Sequence, residues 1–237
     1  MGGHWELKML SDSRIVFLQI AAWSLVITAF TTLVAHLVNF SAPDFQSQIL
    51  LAQDWGYILR NDIIILHCVL VIVSMLGLTL IGSVNTRGWL ALGLLCFLVF
   101  GFAEIGRMTM ANVFVNGLRM QYLSSSDAST QQDIRFILEN IWPLIGAFLF
   151  RVFILAFSLG CIFYGIAFWT RGWTGRIFIV WGVINLLAFV NEFLELAWLS
   201  GFIEYFSIVF QPLARLWIGV WFLKEIRRHG DSHTMPA

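Results

Sequence analysis

Residues 63–86 read IIILHCVLVIVSMLGLTLIGSVNT, and this run of 24 residues contains no Asp, Glu, Lys or Arg. Those charges are costly at the centre of a bilayer, and about 20 apolar residues are enough to cross its hydrocarbon core as a helix. A backbone in hydrocarbon must also satisfy its own hydrogen bonds, which favours helices. The run therefore predicts a membrane-spanning helix.

Further apolar stretches lie on either side of this run. Together they predict an all-α fold, a polytopic transmembrane bundle of six helices. The membrane domain would cover residues 15–223, between a cytoplasmic N-terminal segment at 1–14 and a cytoplasmic tail at 224–237. The predicted spans, in chain order, are 15–39, 61–83, 89–115, 143–169, 177–199 and 207–223.

The composition excludes several classes of protein. Hydrophobic residues make up 59% of the 237 residues and charged residues 12%, which is unlike a soluble domain or a disordered chain. The formal net charge is +0, whereas a protein that binds nucleic acid needs a basic excess. The three cysteines lie inside predicted spans without a CxxC pair, which argues against a disulfide framework.

Lys and Arg outside the spans predict the orientation, because cytoplasmic loops of membrane proteins are enriched in them. Six spans place both termini on one side, which then carries eight basic residues against three on the other. We therefore predict a multi-pass protein of the cell inner membrane with both termini in the cytoplasm. The cytoplasmic set is Lys8, Arg14, Arg87, Arg171, Arg176, Lys224, Arg227 and Arg228, and the outer set is Arg60, Arg119 and Arg135.

Two long connections on the outer side carry apolar residues at helical spacing. The first runs from Asp44 to Leu59, and the second reaches Ile134, Leu138 and Ile141 after a Ser-rich turn. Both patterns predict short amphipathic helices that lie along the outer interface, either as simple connectors or as covers of a cavity.

Two turns of the chain are nearly identical. Residues 86–89 and 170–173 both read TRGW, and each turn joins two predicted spans on the cytoplasmic side. The equivalent placement favours a parallel internal repeat. Convergence explains the match equally well, because Gly makes a tight turn, Arg marks the cytoplasm and Trp anchors the interface.

Ionisable side chains inside the spans are the most informative feature of the sequence. Glu104 and Glu192 each lie 15 residues into a span that starts in the cytoplasm, which is roughly 22 Å. Arg151 and Arg215 each lie eight residues into a span that starts outside, which is roughly 12 Å. All four therefore fall at a similar depth in the outer half of a core about 30 Å thick.

Unpaired charges at this depth would each cost several kcal/mol, so we expect them to face inward and to pair across helices. The i,i+3 spacing places Glu104 with Arg107 on one helix face, and it does the same for Glu192 and Glu195. Arg151 or Arg215 would separate the two carboxylates of the second pair. The predicted polar cluster is Glu104, Arg107, Arg151, Asn191, Glu192, Glu195, Arg215 and His67.

Two interpretations of this cluster remain open. It is either a polar knot that fixes helix packing or an outward-facing cavity that binds a small polar or charged group. The cavity predicts a non-enzymatic integral membrane protein that binds or passes a small polar solute. One alternative is a membrane-embedded enzyme that acts on a lipid or isoprenoid with Glu104 or Glu192 as the acid, and another is an accessory subunit of a membrane complex.

No motif assigns catalytic residues, since the chain has no Walker loop, dinucleotide fingerprint, HExxH pair or GxSxG elbow. No metal site and no cofactor are expected. The expected partners are the lipid bilayer and a small polar solute or lipid-like ligand, but not nucleic acid. A second copy of the chain or a membrane partner subunit remain alternatives.

Two segments carry a resemblance to a known group of proteins. The sequence Arg171-Gly172-Trp173 opens a predicted helix, and the sequence QPLARLWIG at residues 211–219 closes the bundle. In these segments the chain resembles bacterial six-helix inner-membrane proteins of a family with no assigned function. The resemblance implies a bacterial integral membrane protein and transfers no catalytic residue.

Overall fold

The computed structural model describes residues 2–38, 40 and 42–232, and the side chains of residues 13–38, 40 and 42–228. Residue 39, which ends the first predicted span, residues 233–237 of the predicted tail and the side chain of Lys8 lie outside that description. The α-helices are α1 (Gly2–Leu37), α2 (Phe45–Leu50), α3 (Trp55–Leu80), α4 (Arg87–Met110), α5 (Asn116–Ser124), α6 (Ala128–Phe136), α7 (Trp142–Ala167), α8 (Trp173–Leu194) and α9 (Ala197–Ser232).

The prediction of an all-α polytopic bundle is confirmed. Six helical stretches are long and apolar enough to cross a membrane, and the described part of the chain contains no strand. These stretches are Ser13–Leu37, Trp55–Leu80, Val84–Ser124, Ala128–Ala167, Trp173–Leu194 and Ala197–Arg228.

The spanning helices pack in a closed ring. Helix α1 packs against α3 and α9, α4 packs between α3 and α7, and α8 packs between α7 and α9. An aromatic core that includes Phe97, Tyr164, Phe178 and Trp181 fills part of the ring. The Tyr164 hydroxyl donates a hydrogen bond to the Met75 carbonyl oxygen at 2.8 Å, which ties α7 to α3.

The two ends of the ring differ. At one end, here called the termini end, lie the N-terminal part of α1, the C-terminal part of α9 and the turns α3–α4 and α7–α8. At the other end, here called the hairpin end, lie α2, α5, α6 and the turn between α8 and α9.

The hairpin end extends well past the spans. Through a π-helical turn at Ala111–Val115, α4 continues into α5, and through a second π turn at Ile137–Ile141, α6 continues into α7. The stretch Val84–Ser124 has 41 residues, so its length is roughly 60 Å, about twice the thickness of a hydrocarbon core. The antiparallel pair α5–α6 therefore projects beyond that core.

The second short helix predicted from the sequence is therefore an extension of the fourth span instead of a separate element. Residues Ile49, Val115, Ile134 and Leu138 are buried together in a small second core between α2, α5 and α6. This burial is possible because α6 packs alongside α5 as a continuation of the fourth span. The first predicted short helix is present as α2, whereas residues 55–59 belong to α3.

Aspartates begin three of the helices. The carboxylates of Asp44, Asp54 and Asp127 each accept hydrogen bonds from backbone N–H groups in the first turn that follows. Hydrogen bonds from the Thr130 side chain and backbone lower the pKa of Asp127, and the backbone N–H of Ser47 lowers that of Asp44. These caps satisfy N–H groups that have no partner inside the helix.

The bounds of the fifth and sixth spans differ from the predicted bounds of 177–199 and 207–223. Helix α8 ends at Leu194, and a connection of two residues leads directly into α9. Helix α9 is continuous from Ala197 to Ser232 and contains Pro212, so the sixth span is long instead of short. The exposed Glu204 interrupts the apolar run near the start of α9, so the predicted start of the sixth span at residue 207 was too late.

The two TRGW turns differ at their glycines. Gly172 lies between a 3₁₀ turn and α8 with φ of 70°, whereas Gly88 lies within α4. Arg171 in the second turn pairs with Glu225 of α9. The internal repeat stays a prediction.

Large apolar side chains cover the outside of the ring. Phe102, Leu144 and Trp198 are each at least 70% exposed, as a surface that faces acyl chains requires. A soluble protein rarely exposes so much contiguous apolar surface. A lipid bilayer is therefore the environment of the protein.

A close approach of α7 and α8 depends on Gly182. A Cβ atom at this position would lie 2.8 Å from the Ser158 carbonyl oxygen and 2.7 Å from a side-chain carbon of Ile162. Because one of these neighbours is backbone, the helices would have to move apart. Small residues allow membrane helices to pack closely, and overpacking typically costs about 1–3 kcal/mol.

We expect Gly182→Ala to lower the free energy of unfolding in detergent by about 1–3 kcal/mol. The matched control is Gly106→Ala on α4, where no atom lies within 4 Å of the added Cβ. Thermal unfolding followed by tryptophan fluorescence measures both variants. Equal midpoints for the two variants would show that α7 and α8 are not in close contact.

Candidate functional site

A cavity of about 260 Å³ lies inside the ring toward the hairpin end, and it is partly open. All six spanning helices contribute side chains to its wall, so it is a feature of the whole bundle. Its lining is Thr32, Ala35, His36, Arg60, Ile64, His67, Cys68, Phe100, Glu104, Arg107, Phe150, Phe153, Phe157, Asn185, Gln211 and Arg215.

One side of the cavity is aromatic. Phe150, Phe153 and Phe157 recur at three- and four-residue steps, so they share one face of α7. Phe100 on α4 contacts this face, with its ring centroid 5.2 Å from those of Phe153 and Phe157. The four rings are here called the phenylalanine face.

Glu104 and Arg107 form a bidentate ion pair within the cavity wall. Arg107 Nε donates to Glu104 Oε2 at 2.8 Å, and Arg107 Nη2 donates to Glu104 Oε1 at 2.7 Å. Glu104 is 5% exposed. The predicted pairing of these residues on one face of α4 is therefore seen in the structure, and the pair carries no net charge.

Arg215 is buried in the cavity wall without a carboxylate partner. The residue is 2% exposed, and its guanidinium carbon lies 4.8 Å from the ring centroid of Trp181. Its Nη1 atom reaches Thr28 Oγ1 only at 3.5 Å, and its Nε atom has no hydrogen-bond partner. Among the side chains that the structure describes, no Asp or Glu forms an ion pair with it.

Arg60 adds a second guanidinium to the same cavity. Its Nη2 atom donates to the Ala35 carbonyl oxygen at 3.3 Å, while its buried Nε atom has no partner. Within residues 13–38, 40 and 42–228, no carboxylate pairs with Arg60 either. The cavity therefore contains three guanidiniums and one carboxylate.

His67 lines the cavity, and its ring is held in place by a hydroxyl. The His67 Nδ1 atom and Thr31 Oγ1 are 2.7 Å apart, which is hydrogen-bond distance. His36 of α1 lines the same cavity. The predicted residues that the structure brings together are thus His67, Glu104, Arg107 and Arg215.

The other predicted site residues lie outside the cavity. Glu192 and Glu195 are exposed, and neither forms an ion pair with any described side chain. Arg151 points to Phe193, with its guanidinium carbon 5.1 Å from that ring centroid. The expected pairing of the two carboxylates with Arg151 or Arg215 is therefore absent, because this end of α8 turns its acids away from the bundle.

Asn191 secures the connection between α8 and α9. Its Oδ1 atom accepts a hydrogen bond from the Leu196 N–H at 3.0 Å, and its Nδ2 atom donates to Ser200 Oγ at 2.8 Å. Between them, Glu195 adopts the left-handed conformation with φ of 50° and donates its N–H to the Asn191 carbonyl oxygen. Asn191 therefore holds the α8–α9 connection by hydrogen bonds and does not line the cavity.

The cavity also contains Arg60, Asn185 and the phenylalanine face, which the sequence did not predict. Arg60 was counted as a residue of an outer loop, but α3 already begins at Trp55. A helical reading of α3 would have detected it, since Arg60, Ile64 and His67 follow one another at steps of four and three residues.

Comparison of the chain with protein-family models, with curated proteins and with solved structures returns no match.

We expect Glu104→Gln to destabilise the protein by about 3 kcal/mol, because it leaves the Arg107 guanidinium in the wall without its counter-charge. Glu192→Gln is the matched control, since Glu192 is exposed and unpaired among the described residues, and its effect should stay within about 0.5 kcal/mol. Thermal unfolding in the same detergent compares them. A control as destabilised as Glu104→Gln would contradict this ranking.

We expect opposite effects at the α8–α9 connection. Asn191→Ala should lower the free energy of unfolding by about 1 kcal/mol, because the Leu196 N–H loses its acceptor. Glu195→Gly should raise it by about 1 kcal/mol, because glycine adopts a positive φ without steric cost. Equilibrium unfolding in detergent micelles checks both signs, and a destabilised Glu195→Gly variant would refute the second.

Proposed function

We propose that this integral membrane protein binds or passes a small polar solute in the cavity, which opens toward the outside of the cell. The observation that carries the proposal is the position of Arg60 and Arg215 in a shared cavity without a carboxylate partner among the described side chains. In this proposal the protein belongs to a bacterial inner membrane, as the resemblance implies.

The basic residues support an orientation with the termini end in the cytoplasm. Arg14, Arg87, Arg171, Arg176, Lys224 and Arg227 all lie at or near that end. At the hairpin end, Arg119 is 2% exposed and donates a hydrogen bond to Asn116, so its charge is turned inward. The asymmetry between the two ends agrees with the positive-inside rule.

A polar knot that only fixes packing explains the cavity less well than a binding site. The bidentate pair of Glu104 and Arg107 already satisfies the charges that α4 brings into the bundle. Two further guanidiniums between helices cost free energy unless a counter-charge or water reaches them. A protein that needed packing alone would gain stability from apolar residues at these positions.

Acid catalysis is supported less well than binding. Both carboxylate oxygens of Glu104 accept hydrogen bonds from Arg107, so neither oxygen is free to contact a substrate without breaking the ion pair. Glu192, the other proposed acid, lies outside the cavity.

Access of water-borne reagents to the cavity tests the proposal. We expect Gln211→Cys, in a background with Cys68, Cys96 and Cys161 replaced by Ala, to react in cells with a membrane-impermeant thiosulfonate added from outside. Gln211 is partly exposed and lines the cavity. The matched control on the same helix is Ala214→Cys, because Ala214 is 3% exposed and does not line it.

The control variant should stay unmodified under conditions that label Gln211→Cys, as read by mass shift of the purified protein. Ser126→Cys in the exposed α5–α6 turn shows that the reagent reaches the outer surface. If Ser126→Cys reacts and Gln211→Cys does not, the cavity is closed to solutes and the proposal fails.

A further inference from the structure

The cavity has an excess of positive charge. Arg107 is paired with Glu104, whereas neither Arg60 nor Arg215 forms an ion pair with a carboxylate among the described residues. The remaining polar side chains of the lining are an amide pair, a hydroxyl, a thiol and two imidazoles, and none of them is a carboxylate. A cationic ligand would be repelled by this wall, and a neutral one would leave two guanidiniums uncompensated.

Arg215 packs against two aromatic rings in the cavity wall. Its guanidinium lies over the Trp181 ring at 4.8 Å and near the Phe157 ring at 5.9 Å, so the aromatic rings fix its position. The side chain is almost fully buried, yet it lines the cavity, and no carboxylate among the described residues forms an ion pair with its guanidinium. A planar guanidinium in this state matches an oxyanion such as a carboxylate.

The phenylalanine face determines what the rest of the ligand must be. Phe100, Phe150 and Phe153 border the same cavity as the two guanidiniums. A fully hydrated inorganic anion would lose water against these rings without compensation. An organic anion places its charged group on the arginines and its apolar body against the rings.

The size of the cavity limits the ligand. Its volume of about 260 Å³ is below the roughly 300–1,000 Å³ of sites for drug-sized molecules. A long acyl chain would not fit inside.

From these observations we infer that the ligand is a small organic carboxylate, whose carboxylate binds Arg215 and Arg60 and whose short apolar body packs against the phenylalanine face. This inference rests on the proposed function, because it identifies the solute class of that cavity.

Modification rates of Gln211→Cys test the charge preference. Two methanethiosulfonates are compared, the anionic sulfonatoethyl reagent and the cationic trimethylammonioethyl reagent. The rate of each with Gln211→Cys is divided by its rate with Ser126→Cys. We expect the normalised rate of the anionic reagent to be about tenfold higher. Adding Arg215→Gln or Arg60→Gln should reduce this preference, and Arg215→Lys should retain most of it. If Arg215→Gln does not fold, as judged by gel filtration, Arg60→Gln decides the result.

Protection experiments identify the ligand class. Benzoate should slow modification of Gln211→Cys about tenfold when present well above its dissociation constant, and benzamide, its neutral analogue, should not. Equal protection by benzamide, or stronger protection by inorganic phosphate, would overturn the assignment to a carboxylate. Stronger protection by palmitate would assign the site to a fatty acid of the bilayer and would contradict the inference that the ligand is small.

The outcomes separate the two proposals. If neither reagent modifies Gln211→Cys while Ser126→Cys reacts, the proposed function fails. If both reagents modify it at equal normalised rates and benzoate does not protect, the cavity is open to solutes and only the carboxylate inference fails.

Discussion

A charge between membrane-spanning helices must find its counter-charge inside the protein, because hydrocarbon provides none. In this bundle the requirement is met at α4, where Arg107 binds both oxygens of Glu104. It is met only in part at Arg60 and Arg215, whose donors reach a carbonyl and a distant hydroxyl. The difference between these two situations gives the cavity its chemical character.

The architecture keeps the cavity open by packing rigid elements around it. Helices α7 and α8 approach closely at Gly182, and the aromatic core packs around Trp181 nearby. Both contacts hold the ring together on the side of the cavity that faces the termini end. Trp181 belongs to that core and also supports the guanidinium of Arg215. Packing of the bundle and the position of the Arg215 guanidinium are therefore coupled through the Trp181 side chain.

The hairpin end adds a second structural unit to the bundle. Helices α5 and α6 continue two of the spans through π turns and bury a small core with α2. Asn112 in the first π turn bonds to Asn61 and Asp62 of α3 at 2.8 Å each, so the projecting pair is fastened to the ring beside the cavity. These hydrogen bonds connect the start of the projecting pair to α3, which also contributes to the cavity wall.

Local features of the chain were sufficient to predict much of the fold. Hydropathy determines the six spans, because a helix in hydrocarbon needs a minimum length of apolar residues. The spacing of Glu104 and Arg107 determines their ion pair, because side chains three residues apart meet on a helix whatever surrounds it. Both features depend on the properties of one segment at a time.

Tertiary structure decided which charges share a cavity. Glu192 lies in the last turn of α8, which ends at Leu194, and Glu195 follows it, and both side chains are exposed. Arg60 enters the cavity because α3 begins five residues before it and packs with that face toward α1. The rotation of a helix about its axis depends on its neighbours, so the sequence alone determined the spans and the local pair, and packing selected the members of the site.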